Sequence, residues 1–150
     1  MKIQQNNTNK WYTTILILSV LIPILYVVYL FLVIQGSEQS IEGFLNSQPI
    51  YAVIMLIGFI NPIWGHFLNQ IPKEERVRKG RGDRFLTFML ISQLVVGNII
   101  MVILAFLAKR KLPSTSIPQP LTTVEKLVAG VLLVLSLFAG FILLKLTIFS

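Results

Sequence analysis

The sequence predicts an all-α membrane protein, a four-transmembrane-helix bundle with short loops, and three observations carry that expectation. Of the 150 residues, 55% are hydrophobic and 13% charged, where a typical soluble domain has about 25% charged residues. The apolar residues form runs of the roughly 20 residues that a helix needs to cross a bilayer. The charged residues gather in the short polar stretches between those runs. The length allows one membrane domain, residues 1–150, because loops this short are far below the roughly 40 residues at which a chain folds unaided.

The elements follow in order. Residues 1–10 are polar and rich in Asn and Gln, and read as disordered. The first span covers residues 11–34, opening with Trp11 and Tyr12 where an aromatic belt belongs. It is too long for the apolar core of a signal peptide, about 7–15 residues, and reads as an uncleaved signal anchor. Pro23 inside it frees the carbonyl of Ser19, which membrane helices tolerate with a kink. Residues 35–49 form a connection with Glu38 and Glu42 and no basic residue. The second span, residues 50–71, is the most polar, with Gly58, Asn61, Pro62, Gly65, His66 and Asn69.

Residues 72–84 form a basic loop, and the third span is expected at residues 85–108, with Ser92, Gln93, Gly97 and Asn98 inside it. Lys109, Arg110 and Lys111 follow, then a loop marked by Pro113, Pro118 and Pro120. Thr122 and Glu125 have the spacing of a capping box, so a helix starts there and gives a last span at residues 124–149. Its Ala129, Ser136 and Gly140 form a seam of small residues, a helix-contact face.

The net charge of +7 would suggest nucleic acid in a soluble protein. Here the basic residues flank apolar spans, the mark of topology and of attraction to anionic lipid, so no nucleic-acid partner is expected. Basic residues in short loops favour the cytoplasm. Four spans then put both termini on the cytoplasmic side of the cell membrane, with the 72–84 loop. That threading leaves Lys109, Arg110 and Lys111 on the wrong side. Either the larger cluster dominates, or the 85–108 segment is re-entrant, or the triplet is a site for anionic groups.

Chemistry is sparse. With no cysteine and one histidine, thiol catalysis, disulfides and a multi-histidine metal site are excluded within one chain, and no cofactor is expected. The span interiors carry no Asp or Glu, against proton coupling through a buried carboxylate. Asn61, Gln93 and Asn98 are expected to meet in a polar midplane layer, either as hydrogen-bonding glue or as the lining of a path. The second and third spans would then pack directly, with Gly58, Gly65 and Gly97 allowing close approach. His66 and Asn69 are candidate site-lining residues, with an interface role the plainer reading of the histidine. The Arg-Gly-Asp tripeptide at Arg81 to Asp83 carries no functional weight on such a loop. The expected function is that of a non-enzymatic accessory protein binding another membrane component: an immunity or resistance factor, or a regulatory or transporter subunit. Its partners would be the lipid bilayer and a membrane protein or a second copy of itself. The alternative is a small oligomeric transporter or channel with Asn61 and Asn98 lining its path.

Overall fold

A computed structural model describes residues 2–114 and 119–148, and the described residues are helical, with no strand. Pro118 and Phe149, expected in the last loop and at the end of the last span, lie outside them. Six helices follow in order: α1 Lys2–Gly36, α2 Ile41–Ser47, α3 Pro49–Gln70, α4 Arg81–Val95, α5 Ile99–Arg110 and α6 Thr123–Ile148. Three stretches are long and apolar enough to cross a membrane: Asn6–Gly36, Pro49–Gln70 and Thr123–Ile148. At about 1.5 Å per residue even the shortest reaches roughly 33 Å.

The third of the four expected spans is not one continuous helix. Residues 85–108 do not form one helix, because α4 stops at Val95 and α5 starts at Ile99. The stop is a Schellman closure. Gly97 adopts φ 71°, its N–H bonds the carbonyl of Leu94 at 3.2 Å, and the N–H of Asn98 bonds that of Gln93 at 2.9 Å. Asn98 then caps α5, its side chain accepting from the N–H of Met101. The chain reverses, and α5 runs back along α4. At the hairpin's base Arg78 N–H bonds the carbonyl of Pro113 at 2.8 Å, and Lys109 lies 3.0 Å from Asp83.

One end of the bundle thereby collects the charge. Thr8 donates to the carbonyl of Lys111 and Arg76 to the side chain of Asn9. Arg81 forms a two-pronged pair with Glu125 at the start of α6. Every Lys and Arg from Lys10 to Lys126 lies at this end, and Lys145 lies toward the other. The N-terminal stretch expected to be disordered is helical from Lys2 and is tied down by the contacts of Thr8 and Asn9. The start of α1 and the end of α6 consequently sit at opposite ends of the bundle, not at the same one.

Close approaches fix the packing. A Cβ on Gly65 would stand 2.1 Å from the Ser19 hydroxyl and 3.2 Å from the backbone of Leu16, and one on Gly58 would touch Pro23. The glycines of α3 thus serve its contact with α1, not with the hairpin as expected. Gly97 approaches nothing within 4 Å and serves the reversal instead. The α6 seam works as predicted, inside the bundle: Ala129 and Ser136 are buried, and a Cβ on Gly140 would meet the backbone carbonyl of Val95 at 2.8 Å. The main core, which includes Tyr12, Trp64, Phe85, Met89, Met101 and Leu132, fills the charged half. Val53, Ile57, Val96 and Ala139 form a smaller cluster beyond it. At the far end Ser40 caps α2, which buries Phe44 against Leu30 and Ile34.

The absence of cysteine makes threading directly measurable. Single variants Lys73→Cys and Ser114→Cys should react with a membrane-impermeant maleimide from the same side, and Glu42→Cys from the opposite one. Labelling of Ser114→Cys together with Glu42→Cys would restore a continuous span at 85–108. Gly140→Leu should pry α6 from the hairpin tip and cost about 1–3 kcal/mol, read as a shift in a reversible detergent-unfolding titration.

Candidate functional site

Asn61 is in the middle of α3, and Asn98 is at the hairpin tip. Both line one cleft of about 440 Å³, within the size range of small-ligand sites. Its walls come from Pro23 and Tyr26 of α1, Ile54 and Gly58 of α3, and Leu143 and Thr147 of α6. These residues sit in the half of the bundle away from the basic end. Tyr26 stiffens that wall by donating to the carbonyl of Tyr51 at 2.9 Å.

The expected amide contact across the spans is only partly realised. Asn98 donates to the side-chain carbonyl of Gln93 at 2.8 Å, a bond within one hairpin. Asn61 is 2% exposed, yet its side-chain oxygen has no hydrogen-bond partner, and neither does the side-chain nitrogen of the fully buried Gln93. The cleft wall therefore holds one orphaned acceptor, Asn61 Oδ1, while the Gln93 nitrogen is buried outside that lining; each carries a desolvation cost of about 1–3 kcal/mol. The Asn61 acceptor suits a group that donates a hydrogen bond. It supplies no nucleophile or base.

Below the cleft, toward the basic end, the bundle is closed. Trp64 donates its ring N–H to Ser92 at 3.1 Å. Ser92 bonds Ser136, and Ser136 donates to the carbonyl of Leu132 at 2.8 Å. Each donor in this relay is used once, and all three side chains are buried. Trp64 also packs edge-on against Phe85, ring centres 5.1 Å apart. The sequence names Ser92 and Ser136 as small polar residues; their joint service of Trp64 depends on the hairpin register, which no local pattern encodes.

His66 and Asn69 do not reach the cleft. His66 is exposed and pairs with Gln70 of its own helix at 2.9 Å, a local contact of residues four apart. Asn69 contributes its carbonyl, which accepts from Arg76 at 2.7 Å. Arg76 is a site residue that the sequence hides inside a charged run. It is 5% exposed, donates also to the carbonyl of Ile71 at 2.9 Å, and stacks over Tyr12 at 4.5 Å. It thus satisfies carbonyls at the end of α3 that the helix itself cannot. Burial pulls its guanidinium below the usual range, offset in part by Tyr12 and Glu74.

The basic triplet divides. Lys109 and Arg110 line a groove with Arg78 and Lys79, and the exposed Lys111 stands outside that lining. The Arg-Gly-Asp tripeptide has a local explanation. Arg81 pairs with Glu125, Gly82 leaves room for the Tyr12 hydroxyl, and Asp83 accepts the N–H of Lys79 at 2.8 Å. Comparison with protein-family models, with curated proteins and with solved structures finds no match.

Two substitutions separate the roles of these polar groups. Ser92→Ala strands the Trp64 N–H and should lower stability by about 1–3 kcal/mol. Asn61→Leu removes an unpartnered acceptor and should stay within about 1 kcal/mol of the parent, on either side. Equal losses in both variants would show that Asn61 is hydrogen-bonded in the membrane.

Proposed function

We propose that this chain is a non-enzymatic integral protein of the cell membrane that acts by binding another membrane component. This is the working mode of immunity or resistance factors and of regulatory or transporter subunits. The observation that supports it most is the packed middle, where the Trp64–Ser92–Ser136 relay and the core around it close the cleft from the basic end. A chain closed in this way offers faces, not a passage. The outer faces are rich in large apolar side chains, among them Val134, Phe138 and Phe141 on α6 and Ile24, Val28 and Phe31 on α1.

The threading that fits these helices is three crossings with a re-entrant hairpin, α4–α5, entering from the basic end. That end is cytoplasmic under the positive-inside bias. The N-terminus is then cytoplasmic and the C-terminus on the opposite side, in place of the even number of crossings expected from the sequence. The conflict posed by Lys109, Arg110 and Lys111 disappears, since the hairpin returns them to the side of the 72–84 loop.

A second reading, a small oligomeric transporter, is favoured by one observation: the cleft does reach Asn61 and Asn98. Flux separates the two. In proteoliposomes the purified chain should conduct ions and small solutes no faster than empty vesicles. Photo-cross-linkers at Val134 and Phe138 in native membranes should give a discrete membrane-protein adduct. Solute flux that vanishes on Asn61→Leu would overturn the binding reading in favour of transport.

A further inference from the structure

The groove between α4 and α5 at the basic end is separate from the Asn61 cleft, and its two halves have different chemistry. It measures about 520 Å³. Asp83, Thr87 and Leu90 line it on α4 at spacings of four and three, one stripe down the helix. At about 1.5 Å per residue the stripe descends roughly 10 Å from the charged end into the apolar zone. The mouth carries four cations, Arg78, Lys79, Lys109 and Arg110, against the single carboxylate of Asp83. The floor is Leu90 and Phe106.

The cations are not equivalent. Lys109 is engaged, 3.0 Å from Asp83 and bonded to the Thr87 hydroxyl. Lys109 thereby neutralises the one group that would repel an anion. Among the described residues Arg78, Lys79 and Arg110 have no carboxylate partner, the ion pairs there being Arg81–Glu125 and Lys109–Asp83. Arg78 is drawn to the hairpin's base by a 3.4 Å bond to the carbonyl of Arg110. Lys79 occupies a left-handed backbone conformation, φ 61°, held by the bond from its N–H to Asp83. A lysine there is held against its own backbone preference, which fixes the start of its side chain at the mouth of the groove.

The geometry points to a binding site for one anionic phospholipid, with its phosphate between Arg78, Lys79 and Arg110 and an acyl chain along Leu90 and Phe106. Charge and shape select this occupant. The uncompensated cations match a net negative headgroup; a choline headgroup would bring its own cation against them. Phe106, 48% exposed, opens the floor to the side of the bundle where other apolar residues of α5, such as Ile103, face outward. A soluble phosphate would leave that floor unused. Arg110 lies 5.6 Å over the Phe106 ring and joins the two halves. The site is independent of any partner of the outer faces, so its failure would leave the proposed function untouched.

The test is lipid retention by the full chain, released from nanodiscs of phosphatidylcholine containing graded phosphatidylglycerol and read by native mass spectrometry. The parent should retain one phosphatidylglycerol in preference to phosphatidylcholine. Arg78→Gln and Arg110→Gln should each weaken retention about fivefold. Lys111→Gln, the same charge change outside the groove, should leave it unaltered. Lys79→Gln, on the exposed turn, carries the same test if either arginine variant fails to fold. Equal retention of both lipids, or equal losses with Lys111→Gln and Arg78→Gln, would overturn the site. Displacement of the lipid by millimolar inorganic phosphate would overturn the assignment to a lipid.

Discussion

A chain that reverses direction inside an apolar bundle must still satisfy every backbone polar group, since hydrocarbon offers no partner. The turn at Val96, Gly97 and Asn98 meets that constraint with its own atoms. The N–H groups of Val96, Gly97, Asn98 and Ile99 all find carbonyls within the turn or the helix before it. Gly97 supplies the left-handed conformation without steric cost. Asn98 caps the next helix and ties down the side chain of Gln93. A β-branched residue at position 97 would strain the left-handed turn, and an apolar one at 98 would take the side-chain cap from the N–H of Met101. The ends of the bundle, its charge distribution, the basic groove and the Asn61 cleft follow from that reversal.

Because the hairpin returns, Asp83 and Lys109 meet across its base although 26 residues of sequence separate them. The basic run after α3 and the triplet after α5 become one surface. The same reversal leaves the tip short of the far end, so α1, α3 and α6 enclose a cleft there that no helix fills. The groove and the cleft are thus the two ends of one structural decision. Along the hairpin's inner side, contacts to α6 run in a line from the Arg81–Glu125 pair through Ser92–Ser136 to Val95 against Gly140. An ion pair, a hydrogen bond and a close backbone approach fix the register at three depths.

Much of this was legible in the sequence, and the failures have physical causes. Where spans were expected at 11–34, 50–71 and 124–149, helices lie at Lys2–Gly36, Pro49–Gln70 and Thr123–Ile148, because long apolar runs must satisfy their backbone internally in lipid. The capping box is real, with Glu125 N–H bonded to the Thr122 hydroxyl and Thr122 N–H to the Glu125 carboxylate. The break at Gly97 was missed because hydropathy sums over a window, and Gly-Asn counts as two mildly polar residues among many apolar ones. Read as local chemistry, a glycine followed by an asparagine is a helix stop followed by a helix start. The triplet of basic residues on the wrong side was the second sign of the same break. For the polar layer, Asn61 and Asn98 do share a cavity, but depth alone does not fix azimuth. Asn98 turned to Gln93 because the hairpin brought an acceptor from its own segment nearer than one from α3.

Asn61 shows where satisfaction of polar groups stops. Several costly groups elsewhere in the bundle are met, although the buried Tyr12 hydroxyl is not. Arg76 caps α3, Trp64 is served by Ser92, and Glu125 by Arg81 and Thr122. Asn61 Oδ1 and Gln93 Nε2 are also unpartnered, and of the two Asn61 lines the cleft itself. An apolar side chain of similar size at position 61 would remove the cost at no loss of packing, as the neighbouring Ile57 and Ile60 do. A fold concerned with stability alone gains nothing from the amide. Its presence leaves an unpartnered acceptor on the wall of an open volume, in contrast to the packed half of the bundle, where the Trp64–Ser92–Ser136 relay uses each of its donors.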